Sequence, residues 1–323
     1  MSNEALIFAM CLDGKGGGRP VAWEEVGRWQ PEDGLLWVHM NYNAEETHRW
    51  LEEQSGLDPV SLEAMTAEET RPRCVVHGSG MLVILRGVNL NPGAEPEDMV
   101  SVRAWIEPGK IITIRHRRLM ALEDIRLSLV DSAGPCRIGE FLVELCDHIS
   151  QRMASVLAEV DDSVDALEVQ VLDSKSHKLR VALGNLRRQT IRLRRYLAPQ
   201  REAMVRLQGE RVDWLDDTDR GRLREVADRT TRYVEELDSA RDRAAIIQDD
   251  LESRLGEQMN RTMYLLSLVA AIFLPLGLLT GLLGINVGGI PGSDNPMAFL
   301  MVCGLLLVVV VLQLIIFRRK HWL

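Results

Sequence analysis

The sequence predicts an α+β N-terminal domain, followed by long stalk-forming helices and two C-terminal membrane-spanning helices. Three observations lead there. Residues 1 to about 130 alternate short β-like runs with helical patterns, and from Ile138 onward no strand pattern survives. Thr262–Leu283 and Met297–Phe317 are uncharged segments of about 20 residues each, the length that crosses a hydrocarbon core roughly 30 Å thick.

The strand candidates, in order, are "ALIFAMCL", "GLLWVHMNY", "CVVHG", "MLVILRGVNL", "MVSVRAWIE" and "KIITIRH", rich in β-branched and aromatic residues. Between them "AEETHRWLEEQSG" and "DPVSLEAMTAEE" predict helices, each opening on a polar or Asp-Pro start signal. "GKGGG" at 14–18 lacks the spacing of a phosphate-binding loop and predicts a hairpin turn. The first domain is placed at 1–135 and a helical region at 136–221, with breaks expected at Pro199 and Gly209. The longest helix is expected from Arg222 to Leu283, its membrane part being 262–283. Val226, Thr230, Tyr233, Leu237, Ala240, Ala244, Ile247, Leu251 and Leu255 form its packing seam at alternating spacings of four and three. It would be about 90 Å long. A loop at 284–296, a second span at 297–317 and a basic tail at 318–323 complete the chain.

Charge is unevenly divided. Beyond position 260 there are four basic residues and one acidic one, so the net charge of −9 becomes −12 over residues 1–260. Such a surface attracts cations and disfavours nucleic acid as a partner. The basic run "LGNLRRQTIRLRRYLAPQR" lacks aromatic interleaving and is expected to pair with acidic neighbouring helices. Five scattered cysteines without a C-x-x-C pair suit a reducing compartment. The N-terminal residues carry no signal-peptide pattern. Arg261 before the first span and Arg318, Arg319 and Lys320 after the second put both flanks, and both termini, on the cytoplasmic side. The loop "GINVGGIPGSDNP" is then external.

Helical spacing back from that loop collects Gly284, Gly281, Gly277, Leu274, Ala270, Ser267, Met263 and Asn260 on one small, weakly polar face of the first span. Leu265, Leu268, Ile272, Phe273, Leu276, Leu279 and Leu283 lie on the other, suited to lipid or to the second span. A small-residue face serves either tight helix packing or a pore. Two helices cannot enclose water, so a pore requires several copies in a ring, which turns Asn286 and the carbonyls beside it into rings of neutral oxygens. Such oxygens suit a hydrated divalent cation. The face holds no Cys, His, Asp or Glu, so zinc would cross largely with its water.

The tripeptide Gly284-Ile285-Asn286 before a short glycine-rich loop, the second span and the tail "FRRKHWL" resemble the CorA superfamily of divalent-cation transporters. That superfamily usually has Met where Ile285 stands. "GINVGGIPG" and "TRPRCVVHGSGMLVILRGVNLNPG" resemble its ZntB-type zinc transporters in particular. The resemblance covers the whole chain. It implies a homopentamer in the inner membrane, an α/β/α sandwich as cytoplasmic domain, stalk helices forming a funnel, and first spans lining the pore. Gly284, Ile285 and Asn286 would be the external selectivity motif, and Asn260, Met263, Leu274 and Gly277 would fall where pore-facing residues and constrictions sit. Arg318, Arg319 and Lys320 would form a basic collar. Zinc uptake coupled to protons is the implied activity, with export also proposed for that branch. Zinc is the cargo, and no cofactor is expected.

Two further groups have open alternatives. Asp242, Asp249, Ser253 and Glu257 are in approximate phase with Asn260 and would line an acidic funnel or simply face solvent. Cys146 and His148 are a candidate regulatory zinc site, although alternate positions on a helix diverge. His39, His77, His116 and His177 are expected to be ordinary core or surface residues. Three functions remain: a zinc transporter; a magnesium, cobalt or nickel channel of the same architecture; and a membrane-tethered sensor. Neither a paired nucleophile and base nor a phosphate cradle supports an enzyme.

Overall fold

The computed structural model describes residues 5–173, 177–284 and 296–320. Seven strands form one mixed sheet: β1 (Leu6–Leu12), β2 (Gly18–Pro20), β3 (Leu35–Asn41), β4 (Arg73–His77), β5 (Gly80–Gly87), β6 (Val100–Glu107) and β7 (Lys110–Arg115), in the order β2-β1-β3-β7-β6-β5-β4. Six of them are the predicted runs. The seventh, β2, is too short to show alternation. Residues 13–17 join it to β1, with Gly14 and Gly16 at φ 70° and 94°, a conformation that favours glycine. The Asp13 carboxylate accepts from the N–H groups of Lys15 and Gly17 at 2.7 and 2.9 Å. The glycine-rich stretch is therefore a hairpin turn.

Neighbouring strands are antiparallel except β3 and β7, which pair in parallel from Leu36–Lys110 to Asn41–Arg115. A parallel pair needs a long crossover, and the one here contains helices α2 (Glu45–Glu53) and α3 (Pro59–Thr66) and strands β4 to β6. Helix α3 begins where the Asp-Pro signal places it. The Asp58 carboxylate accepts from Val60 and Ser61 N–H at 2.9 and 3.0 Å, capping the first turn.

Both faces of the sheet are covered, which explains why its strands are almost continuously apolar. Trp37, Val83, Val102 and Ile111 pack with α4 (Met120–Val130), α5 (Ile138–Asp173), the end of α6 (His177–Gly209) and the start of α7 (Asp217–Leu283). Val38, Ile84, Trp105 and Ile112 pack against α1 (Trp23–Val26), α2 and α3. The result is the expected α/β/α sandwich. Arg103, only 1% exposed, interrupts the apolar pattern of β6. Its guanidinium donates to the Met65 and Glu68 carbonyls at 2.8 and 3.4 Å and lies 4.5 Å from the Tyr42 ring centroid. The charge thus caps the C-terminal end of α3, where cations are favoured.

Two helix boundaries differ from expectation. Pro199 does not end α6, which continues to Gly209. The carbonyl it leaves without a donor, that of Arg195, belongs to an exposed residue that water can serve. Leu197 and Gln200 on either side of Pro199 are buried, and the Gln200 side chain accepts from the Arg86 N–H of β5 at 2.7 Å, so packing holds the helix through the proline. Helix α7 opens at Asp217 rather than Arg222 because Asp216 and Asp219 cap it reciprocally. Each carboxylate accepts from the other's N–H, at 2.8 and 3.4 Å.

The chain divides into two compact units, Met1–Gln248 and Asp249–Leu323. In the first, the seam from Val226 to Ile247 is buried as predicted. Charged pairs flank it: Arg243 of α7 meets Asp161, Asp165 and Glu168 of α5, Arg229 meets Asp147, and Arg194 of the basic run on α6 meets Asp238 of α7. The second unit holds the end of α7 and α8 (Ala298–Arg319), among the described residues the two helices apolar and long enough to cross a membrane. In the sandwich, Phe141 is fully buried with its ring edge-on to Trp37 at 4.8 Å. Phe141→Ala should lower the unfolding free energy of the first unit by about 3–5 kcal/mol, measured by denaturant titration of Trp fluorescence in detergent.

Candidate ion pathway

The pairing of α7 with α8 decides which face of the first span is left open. On α7, Leu268, Ala271, Ile272, Leu276 and Leu279 are half-buried; on α8 the covered stripe is Ala298, Val302, Leu306, Val309, Val310, Gln313 and Phe317. Asn260, Met263, Ser267, Ala270, Leu274, Gly277, Gly281 and Gly284 are all exposed. The small face is therefore turned away from α8. Leu265, Phe273 and Leu283 are exposed as well, so the predicted apolar face is shared between α8 and surfaces suited to lipid.

Close packing on α8 does not account for the glycines. A Cβ added at Gly277 or Gly281 would meet nothing within 4 Å.

Gly284 closes α7, its N–H donating to the carbonyls of Thr280 and Gly281 at 2.9 and 3.2 Å. Ile285 and Asn286, the rest of the candidate selectivity motif, lie outside the described residues. Arg318 and Arg319 form the last turn of α8, with Lys320 just beyond, and all three are exposed. Cationic side chains at that end complement the helix dipole.

One residue of this region carries no signal in the periodicity. Gln313 Nε2 donates to the backbone carbonyl of Ala271 at 3.3 Å, a hydrogen bond between the two spans. Its only mark in the sequence is that it is the sole amide, hydroxyl or charged side chain between Ala298 and Phe317.

The acidic candidates are exposed on α7. Asp242 pairs with Arg241 at 2.9 Å, while Asp249, Ser253 and Glu257 face outward. Cys146 and His148 are not brought together. Cys146 is fully buried in the core beneath the sheet, where burial pushes its thiol well above the usual range; a zinc ligand would have to be thiolate. His148 is partly exposed, 3.8 Å from Asp124. Among the described residues no group of three or more His, Cys, Asp or Glu stands together as a metal centre. His39 is buried and held neutral, its pKa lowered by burial to about 3; His77 pairs with Asp58 at 2.8 Å; His116 stacks on Tyr42. The side chain of His177 lies outside the described residues.

A family model described as CorA-like Mg2+ transporter protein matches residues 32–319. The chain belongs to the CorA family. A divalent cation transporter, CmaX of Pseudomonas aeruginosa, is 39% identical over 99% of this chain and 98% of its own length. The zinc transport protein ZntB of Yersinia enterocolitica is 34% identical over 98% of this chain and 96% of its own. Among solved structures, full-length CmaX superposes with a TM-score of 0.86 at 38% identity, covering 100% of this chain and 99% of that one. The CorA magnesium transporter of Methanocaldococcus jannaschii superposes with a TM-score of 0.80 over 98% of both chains, and at 20% identity it shares the fold. This CorA-family chain is thus a membrane transport protein for divalent cations rather than an enzyme.

The spans of this CorA protein hold no His or carboxylate, and a carboxylate with a strongly displaced proton affinity is found in its first unit. Glu144 of α5 has one carboxylate oxygen buried without a hydrogen-bond partner among the described residues. Burial pushes its pKa up to about 7, opposed by Arg222 of α7 and reinforced by Glu140 and Asp147. The folded form therefore prefers the neutral acid. Relative to an ordinary glutamate at 4.5, stability is full below that value and falls as pH rises from there to about 7. Glu144→Gln should raise the melting temperature at pH 8 and leave it unchanged at pH 4, measured by thermal unfolding in detergent.

Proposed function

We propose that this chain is the subunit of a homopentameric zinc transporter of the inner membrane, with its first spans around a central pore and both termini in the cytoplasm. The observation that carries the proposal is the small, weakly polar face of α7, which α8 leaves uncovered and which packing within the chain does not require. Five copies placed with these faces inward would convert each residue into a ring.

A hydrated cation would meet the Asn286 ring and the carbonyls freed by neighbouring glycines, whose neutral oxygens complement its water shell. It would pass Leu274 and Met263, whose bulk narrows the path, and emerge beside the exposed carboxylates of Asp249 and Glu257, with Asp242 further along. Carboxylate rings raise the local cation concentration. The basic Arg318, Arg319 and Lys320 would surround the cytoplasmic end, where positive charge fixes topology. Zinc is favoured by the ZntB relatives and by Ile285 in place of the usual Met. Uptake driven by a proton gradient is the accompanying proposal, with groups such as Glu144 as carriers or sensors, because the spans supply none.

A second reading is a passive pathway for magnesium, cobalt or nickel, or zinc efflux. It is favoured by the CmaX relative, which is more similar over a comparable length and is named only for divalent cations. Proteoliposomes separate these readings. Zinc entry that rises with an inward proton gradient supports coupled uptake; entry indifferent to the gradient, or faster for magnesium, supports the passive pathway. Flux of no divalent ion would overturn transport and leave a tethered sensor. Asn286→Ala should abolish flux. Gly277→Leu should block it by narrowing the ring while leaving the melting temperature of the purified protein within a degree or so, because a Cβ added there meets nothing within 4 Å in its own chain.

A further inference from the structure

Pro275 lies inside α7, in the middle of the first span. Proline has no N–H, so the carbonyl of Ala271, four residues earlier, loses its intrahelical donor. Hydrocarbon offers no water in exchange, and a proline is tolerated there only where another group supplies the missing bond. Gln313 of α8 supplies it, with Nε2 3.3 Å from the Ala271 oxygen. The orientation of that amide follows from chemistry: a carbonyl only accepts, so the NH2 end must face it. The other end, Oε1, is buried and has no partner among the described residues, so among them the amide's hydrogen bond to Ala271 is the one that holds it across the spans. Around it the covered stripe of α8 is otherwise apolar.

We propose that Gln313 is a positioning residue for the pore-facing side of α7. It stands in for the donor that Pro275 removes, closes the turn from Ala271 to Pro275, and so keeps Ala270 and Leu274 in phase with Gly277. A methyl, sulfur or branched chain at 313 would fill the same space without the donor. The turn would then loosen, and the pore-facing residues on either side of it would lose their common register. The link to ion passage rests on the transport function proposed above; the hydrogen bond and its pairing with the proline do not.

The test is a double-mutant cycle on the full-length protein in lipid nanodiscs. Amide hydrogen exchange is followed by mass spectrometry in peptides covering 268–280 for the native protein, Gln313→Met, Pro275→Ala and the double variant. Methionine keeps the length of glutamine without a donor, and alanine at 275 restores the N–H. Gln313→Met should speed exchange about 3- to 10-fold, the range of a hydrogen bond between membrane helices, and should have no effect in the Pro275→Ala background. An equal effect in both backgrounds, or none in either, overturns the proposal. Should Gln313→Met fail to assemble, recovery of assembly in the double variant supports it and continued failure overturns it. Flux in proteoliposomes should fall with Gln313→Met and return in the double variant; a native protein without flux defeats the transport function while the exchange cycle still decides the role of Gln313.

Discussion

Helix α7 must satisfy its backbone in two solvents, and much of the architecture follows from that requirement. Its first part buries a seam of Val226, Leu237, Ala244 and Ile247 in a water-soluble unit, while its last part is apolar on nearly every side. A helix is suited to this because each interior N–H and C=O is paired within the segment, whatever surrounds it. The two prolines show the difference between the solvents. In α6 the carbonyl freed by Pro199 sits on an exposed residue and water can serve it. In α7 the carbonyl freed by Pro275 is met by a side chain from another helix. The same covalent fact thus has a local solution in water and a tertiary one in hydrocarbon.

The two units divide the remaining work by burial. Helices cover both faces of the sheet, so alternate residues of one strand enter opposite cores, and even the Arg103 charge is matched by carbonyls at the end of α3. In the second unit α8 covers only one flank of α7. A soluble protein could not leave so many large apolar side chains uncovered; a membrane protein leaves them to lipid, and the contrast between those side chains and the small, weakly polar flank then acquires meaning. The face proposed to handle ions is the one the chain does not cover.

Charge follows the same division. Acidic residues dominate the first 260 positions, yet many near the long helices are engaged by arginines, as where Arg243 meets three carboxylates of α5. The acidic residues proposed to attract cations are those exposed along α7, and Glu144, partly buried and shifted toward neutrality, belongs to a different class from them.

The sequence by itself determined the six longer strands, the hairpin turn, the buried seam of α7 and the two spans, because each is written in a local period or a local capping signal. It also marked the small face from Asn260 to Gly284, a matter of helical phase alone. The tertiary structure decided what phase cannot contain: that α8 lies opposite that face, that Pro199 is carried through by packing on β5, that Cys146 is sealed in a core away from His148, and that Gln313 answers Pro275. Each of these depends on groups brought together from distant parts of the chain, such as Ala271 and Gln313, 42 positions apart. No local pattern records which carbonyl a distant side chain will reach; only the packing of one helix on another sets that distance.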